Sequence, residues 1–466
     1  MKIVIVGDGK VGYMLAQLLC KEEHEVVVVD NDAEVLSELQ KTLDVAIVQG
    51  NGAAVDVQRE AGVQDSDLLI AATSGDEINL LCCVVAKMLG CKHTVVRVRN
   101  PEYDQQIDFL RKNLGLSLAI NPEKAAAREI FRLLQFPSFL KRDSFAGGRV
   151  ELVEWKLPPT SALVGKKLYE ICDTLRANAL ICAVDRDGTV TIPDGSFVLE
   201  PGDRVSVSAD GAKLVSLIHN LKLDARPVKE VMIIGGGRIA VYLAAMLQNS
   251  KVDVTIIEQD AQRCEQLSAY LPGVTVLHGN GTQQDLLFAE GIRETDAVVT
   301  LTGMDEENLI VSMFANSMGV PKTITKINRI EYVGILNHAG LDTLVSPKML
   351  VADEIMRYVR AVYETGTGSV HKAGQTGTVE TLYRIVNGKA EALGFTVPQE
   401  GKYLGIPLSD LHLRSNILLA SIIRAGKVIV PKGSDFMQAG DSVVVITTSD
   451  HAIASLTDIF YPGSLI

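Results

Sequence analysis

The chain of 466 residues carries one long internal repeat, and no other feature constrains its fold as much. IVIVGDGKVG at 3–12 returns as MIIGGGRIA at 232–240, so Gly7 and Gly9 recur 228 residues later as Gly235 and Gly237. HEVVVVD, ending at Asp30, returns as KVDVTIIE, ending at Glu258. Gly50-Asn51-Gly52 returns as Gly279-Asn280-Gly281, and LLIAATSGDEINL (68–80) as AVVTLTGMDEENL (297–309). VVRVRNPEY returns as TITKINRIEY, setting Lys326 where the first copy has Arg97. Matches in one order at a nearly constant offset indicate a tandem duplication, so any fold must be built twice.

Within each copy the hydrophobic period sets the class. Ile3–Val6, Val26–Asp30, Val45–Val48, Leu68–Ala72, Val95–Val98 and Leu116–Ile120 are short, β-branched apolar runs. Amphipathic segments such as Gly9–Leu19 and Ala33–Thr42 separate them. Apolar strands alternating with helices predict βαβ units and a parallel sheet covered on both faces. A helix is expected at Pro122–Leu134, with Pro122 at its start, and its counterpart at Pro347–Tyr363. From Arg149 the texture turns to strands and turns, with a hairpin expected at Asp187-Gly188. Pro193-Asp194-Gly195 recurs as Pro431-Lys432-Gly433, so this smaller unit is duplicated too. The expected order is an α/β lobe (1–120), crossover helix and linker (121–148), small α+β lobe (149–226), second α/β lobe (227–346), crossover helix and linker (347–372) and second small lobe (373–466). Thr365–Ser369 reads as linker.

The glycines carry the first chemistry. Gly7-Asp8-Gly9-Lys10-Val11-Gly12 fits G-x-G-x-x-G after a strand and before a helix. Gly235-Gly236-Gly237-Arg238-Ile239-Ala240 fits the G-x-G-x-x-A form. The first glycine permits the tight turn, the second lets backbone approach a pyrophosphate, and the third position allows close helix packing. The helix N-terminus then presents unpaired N–H groups to phosphate. Asp30 and Glu258 each follow the second glycine by 21 residues, the spacing of a carboxylate that binds a ribose hydroxyl. Such an acid favours NAD(H) or an adenosine nucleotide over a 2′-phosphorylated one. Asn51 and Asn280 after the third strand, Thr73-Ser74 and Thr302 after the fourth, and Arg97 and Lys326 in the fifth are candidates to line the same crevice. The expected fold is therefore two Rossmann-like lobes, each followed by a small α+β lobe.

Composition narrows the alternatives. The net charge of −12 disfavours nucleic acid as a partner. Mean hydropathy is +0.19, yet the best charge-free stretch, Asn308–Pro321, is shorter than the ~20 residues of a span. The N-terminal run meets glycines too early for a signal peptide. Seven cysteines form no CxxC pair or metal spacing and read as buried reduced thiols. No nucleophile elbow, zinc motif or Walker loop is present, and His219 and His412 stand in no motif. A non-enzymatic chain is expected, with an NAD-dependent oxidoreductase as the alternative.

These motifs together resemble the tandem RCK/KTN family, the cytosolic regulatory subunits of Trk potassium transporters. The resemblance spans essentially the whole chain and rests on GDGKVG with Asp30, VQGNGA, AATSGDEINL, VVRVRNPEY and their second copies. It implies binding of NAD(H) and of ATP or ADP. It also implies a homotetramer or ring on the inner face of a membrane-embedded potassium-conducting subunit, whose flux responds to nucleotide state. Carried over, the nucleotide positions are Gly7 to Val11, Asp30, Thr73, Ser74 and Arg97, then Gly235 to Ile239, Glu258 and Lys326. The second copy departs at Ala240, at Thr302-Gly303 and at Lys326, whose point charge lacks the planar fork of arginine.

Overall fold

The computed structural model describes residues 1–175, 179–223, 227–329, 341, 343–366, 377, 379–448 and 453–461. The chain falls into two compact units, Met1–Arg128 with Ser346–Met356, and Glu129–Val345 with Arg357–Ile466.

The first unit is built on six parallel strands: β1 Lys2–Val6, β2 Glu25–Asp30, β3 Ala46–Gln49, β4 Leu68–Ala71, β5 His93–Arg97 and β6 Leu118–Ile120. Their order is β3-β2-β1-β4-β5-β6. Neighbours pair in parallel register, Val4 opposite Val27 and Leu69 for example. Ile3, Val4, Ile5, Leu68, Leu69 and Ile70 are fully buried, as a sheet covered on both faces requires. Each such side chain contributes roughly 1.5–3 kcal/mol by leaving water. Helices α1 (Lys10–Lys21) and α2 (Ala33–Thr42) lie where the periodicity expects them.

The second unit contains three sheets. Strands β7 Lys141–Phe145, β8 Val150–Lys156, β9 Ala179–Arg186, β10 Thr189–Thr191 and β11 Arg204–Asp210 form an antiparallel sheet in the order β10-β9-β11-β8-β7. Then β12 Glu230–Ile234, β13 Asp253–Glu258, β14 Thr275–His278, β15 Ala297–Thr300, β16 Lys322–Lys326 and β17 Leu344–Val345 repeat the first topology strand for strand. Finally β18 Val379–Ile385, β19 Ala390–Thr396, β20 Ile417–Arg424, β21 Lys427–Ile429 and β22 Ser442–Thr447 form the second antiparallel sheet, β18-β19-β22-β20-β21. The duplication is thus an α/β lobe and an antiparallel lobe, each made twice.

The hairpin at Asp187-Gly188 is present, both residues in the left-handed region at φ 49° and 84°. Its counterpart uses Ala425 and Gly426 at 46° and 80°. Helix Pro122–Gln135 matches expectation closely, and helix Pro347–Gly366 runs on to Gly366, into the stretch read as linker. The rest of that linker, His371, His451 and the Glu331-Tyr332 match lie outside the described residues. One strand was not expected: β7 lies within 121–148, upstream of Arg149. Its sequence KRDSF has no apolar alternation: the backbone ladder to β8 and the buried Phe145 are supplemented by polar contacts. Arg142 Nε donates to Glu151 Oε2 at 3.0 Å, and Ser144 Oγ to Glu151 Oε1 at 2.8 Å.

The two antiparallel sheets bury both faces. Phe139, Val153, Trp155, Val205 and Val207 pack under the helices of the first small lobe. The opposite face presents Phe145, Val150, Leu152, Cys182 and Ala183, which join Ile385, Ala390, Ala392, Ala420, Ile423, Val444 and Ile446 of the second sheet in one core. Within that interface Ser208 Oγ meets Ser421 Oγ at 2.8 Å, and Val386 N donates to Glu154 Oε2 at 3.4 Å. Of the six cysteines whose side chains are described, all are unpaired and five are buried.

Candidate functional site: two glycine-loop crevices

Each parallel sheet reverses its winding between its first and fourth strands, and in an open α/β sheet that switch point is where the carboxyl ends leave a crevice for a ligand. Gly7 and Gly235 follow β1 and β12 with φ of 99° and 101°, a conformation side chains disfavour. The chain then enters helices Lys10–Lys21 and Arg238–Asn249 through Gly9 and Gly237. Neither helix has a side-chain cap or an acid in its first turn. The next helix in each lobe is capped, by Asp32 and by Asp260. The glycine-loop helices therefore keep their N-terminal N–H groups and positive dipole end available to an anion. Val11 and Ile239 are buried, so only their backbone faces the loop, whereas Arg238 is exposed. The Lys10 side chain lies outside the described residues.

Gly12 and Ala240 occupy one repeat position but not one environment. A Cβ on Gly12 would stand 1.9 Å from Gly7 O, so the first loop is closed tightly on its helix. Gly12→Ala is expected to open that loop and cost about 1–3 kcal/mol, as overpacking does. Ala240→Gly should cost only the helix-propensity difference of about 1 kcal/mol. Thermal unfolding of both variants checks the contrast.

The acids sit where the spacing predicts. Asp30 Oδ2 accepts from Asp8 N at 2.7 Å and Oδ1 from Asp32 N at 3.0 Å. Glu258 Oε2 accepts from Gly236 N at 2.7 Å and Oε1 from Asp260 N at 2.9 Å. Each carboxylate thus clamps its glycine loop and retains lone pairs for ribose hydroxyls.

Asp8 adds a second acid to the first crevice. It is buried, its Oδ1 has no hydrogen-bond partner, and its carboxyl is pushed up to about 6, by burial first and by Asp30 second. A folded-state value raised above the unfolded one favours the protonated form. Stability is therefore full at low pH and falls as pH rises from about 4 to about 6. Asp8→Asn should raise the unfolding midpoint at pH ~8 by the equivalent of about 1–3 kcal/mol and leave it nearly unchanged at pH ~4.

The remaining candidates shape the crevice walls. Asn51 Oδ1 accepts from Ala53 N at 3.0 Å, and Asn280 Oδ1 from Thr282 N at 2.9 Å, so both asparagines pin their loops. Arg97 Nη1 donates to Ala72 O and Thr73 O at 3.3 and 3.4 Å, and Lys326 Nζ to Thr302 O at 2.5 Å. Both cations therefore hold the strand end of the loop beside them. Thr73 Oγ1 donates to Asn79 Oδ1 at 2.7 Å, whereas Thr302 Oγ1 turns to Met304 O at 3.1 Å. The Ser74 carbonyl accepts from Arg99 Nη2.

Two positions escaped the sequence reading. Fully buried Asn79 and Asn308 each accept from the threonine N–H at 2.8 Å through Oδ1, and donate through Nδ2 to Arg97 O or Lys326 O at 3.0 or 3.1 Å. Asp76 accepts from Arg99 N and Asn100 N, and Asp305 from Asn328 N and Arg329 N. These four side chains tie the fourth-strand loop to the fifth strand. Their signal was the repeated acid-Glu-x-Asn-Leu run, DEINL and DEENL.

Comparison with known proteins agrees with this architecture. The family described as TrkA-N domain matches residues 3–122 and 231–347, and TrkA-C domain matches 152–222 and 393–461. Trk system potassium uptake protein TrkA homolog 2 of Methanosarcina mazei is 30% identical over 99% of this chain and 100% of its own. The TrkA homolog of Archaeoglobus fulgidus is 31% identical, again over 99% and 100%. Among solved structures, the GsuK channel bound to NAD aligns with a TM-score of 0.62 at 19% identity, covering 96% of this chain and 77% of that one. With the TrkA-N and TrkA-C domains each matched twice and relatives aligned over their full length, this chain belongs to the Trk system potassium uptake protein TrkA family.

Proposed function

We propose that the chain is a nucleotide-responsive regulatory subunit, not an enzyme, that controls potassium flux through a membrane-embedded Trk partner. The observation that carries the reading is the pair of uncapped glycine-loop helices, each facing a carboxylate at the end of the next strand. NAD(H), or ATP or ADP, would bind with phosphates on the backbone N–H groups of Gly9 to Gly12 or Gly237 to Ala240. Its ribose diol would donate to Asp30 or Glu258. Asp8 and Gly236 flank the ribose end, Arg97 or Lys326 and Thr73-Ser74 or Thr302 flank the phosphate side, and Asn51 or Asn280 closes the crevice. The relatives' name supports potassium uptake as the process, and the NAD-bound structural neighbour supports the ligand class.

Among the described residues no helix is long and apolar enough to cross a membrane. Attachment to the inner membrane face would run through the protein partner, with copies of this chain in a tetramer or ring. A bound ligand shifts a conformational equilibrium only through its different affinity for the two states. Helices Pro122–Gln135 and Pro347–Gly366, which follow the last strand of each parallel sheet, would pass that difference on. Potassium flux through the reconstituted complex should change when saturating NADH or ATP is added. Flux indifferent to every nucleotide at saturation would sink the regulatory reading.

A further inference from the structure

The two crevices differ most at the ribose end. Asp8 stands where the second copy has Gly236, and Val35 where it has Arg263. The equivalence is fixed by the helix caps Asp32 and Asp260, which precede Val35 and Arg263 by three residues in each copy. In the first crevice the carboxyl of Asp8, nine-tenths buried with Oδ1 unpartnered, stands beside the Asp30 clamp. In the second crevice any side chain at this position would have to displace its neighbours. A Cβ on Gly236 would lie 2.4 Å from Leu267 Cδ1 and 3.1 Å from Glu258 Oε2. A cation is added there instead. Arg263 Nε donates to Gly236 O at 2.9 Å, on the same residue whose N–H donates to Glu258. Arg263 is also steadied by Gln266 Oε1 on Nη1 at 3.1 Å.

Counting the groups that replace one another, the first ribose end carries Asp8 and Asp30, and the second carries Glu258 and Arg263. One is doubly acidic and the other is balanced. A 2′,3′-diol suits both, because its hydroxyls are donors. A 2′-phosphate meets only acids in the first crevice, but a guanidinium beside the acid in the second.

We propose that Asp8 and Arg263 give the two crevices different ligand ranges: the first takes only nucleotides with a free ribose diol, and the second also takes a 2′-phosphorylated nucleotide. The proposal rests on nucleotide binding at both crevices. A difference of two charges at the ribose end is expected to separate the crevices by at least about tenfold in their discrimination between the two ligand types.

Calorimetry on the full chain with NADH and NADPH tests it. The expected result is two equivalents of NADH per chain and one of NADPH, in the same concentration range. Arg263→Val should abolish the NADPH equivalent and keep both NADH equivalents. The double variant Asp8→Gly with Val35→Arg should admit NADPH to the first crevice. Two equivalents or none of NADPH on the unaltered chain, or NADPH binding unchanged in Arg263→Val, would overturn the proposal. Failure of NADH itself to bind would instead remove the nucleotide reading beneath it, and the proposal with it.

Discussion

Asp30→Ala is expected to weaken nucleotide binding at the first crevice by about 30-fold to 1,000-fold, and Glu258→Ala to do the same at the second. The size follows from what each carboxylate does. It holds two backbone N–H groups, those of Asp8 and Asp32 or of Gly236 and Asp260. It is also the acceptor placed for the ribose diol. Hydrogen bonds to a charged group are worth about 1.5–3 kcal/mol each, so losing the ligand's bonds and loosening the loop together amount to about 2–4 kcal/mol. Titration of each variant with NADH and ATP would show one site lost and the other intact. Unchanged affinity in both variants would leave the acids as loop clamps alone.

Asp203→Ala and Asp441→Ala are expected to destabilise the paired small lobes by about 2–4 kcal/mol each. Asp203 is 1% exposed and takes Arg186 Nε and Nη2 at 2.8 Å each, with Glu200 N at 2.8 Å. Asp441, 2% exposed, takes Arg424 Nε at 2.9 Å and Nη2 at 2.8 Å, with Gln438 N at 2.8 Å. Each guanidinium also lies over a ring, Phe197 or Phe436, at 5.1 Å from its centroid. Removing the carboxylate leaves the arginine half-buried and two or more donors unmatched. Denaturant unfolding followed through Trp155, which sits in the first small core, reads the Asp203 variant directly. A loss below about 1 kcal/mol would mean that the brace acts as a surface ion pair.

This brace shows where sequence reading stops. Asp185-Arg186-Asp187 reads as the mouth of a hairpin, and the hairpin is there. The reach of Arg186 to Asp203 depends on a strand pairing, Arg204 opposite Asp185, that no local spacing announces. The parallel sheets were far more legible. Their apolar runs are continuous because both faces are buried, and glycine loop, acid and threonine loop each close one strand. The crevice residues were legible for the same reason, since topology gathers strand ends. Asn79 and Asn308 were not, because a buried amide inside an amphipathic helix looks like any polar helix residue until the loop it satisfies is placed. Strand β7 was missed because KRDSF offers a single apolar residue, Phe145, and its other side chains make polar contacts.

The shared core between the two antiparallel sheets has a consequence for how the chain is assembled and how it varies. Both halves of that interface travel on one polypeptide, so their encounter is intramolecular, with an effective concentration independent of how much protein is present. In a homodimer of single-copy chains the same contact would dissociate on dilution, and its unfolding midpoint would shift with protein concentration. Here it should not. Tethering also removes the demand that the surface be complementary to itself. Each side is free to accumulate its own substitutions, as Cys182 in the first sheet and Ala420 at the equivalent bulge of the second already illustrate. The crevices, carried on lobes no longer bound to be identical, inherit the same freedom.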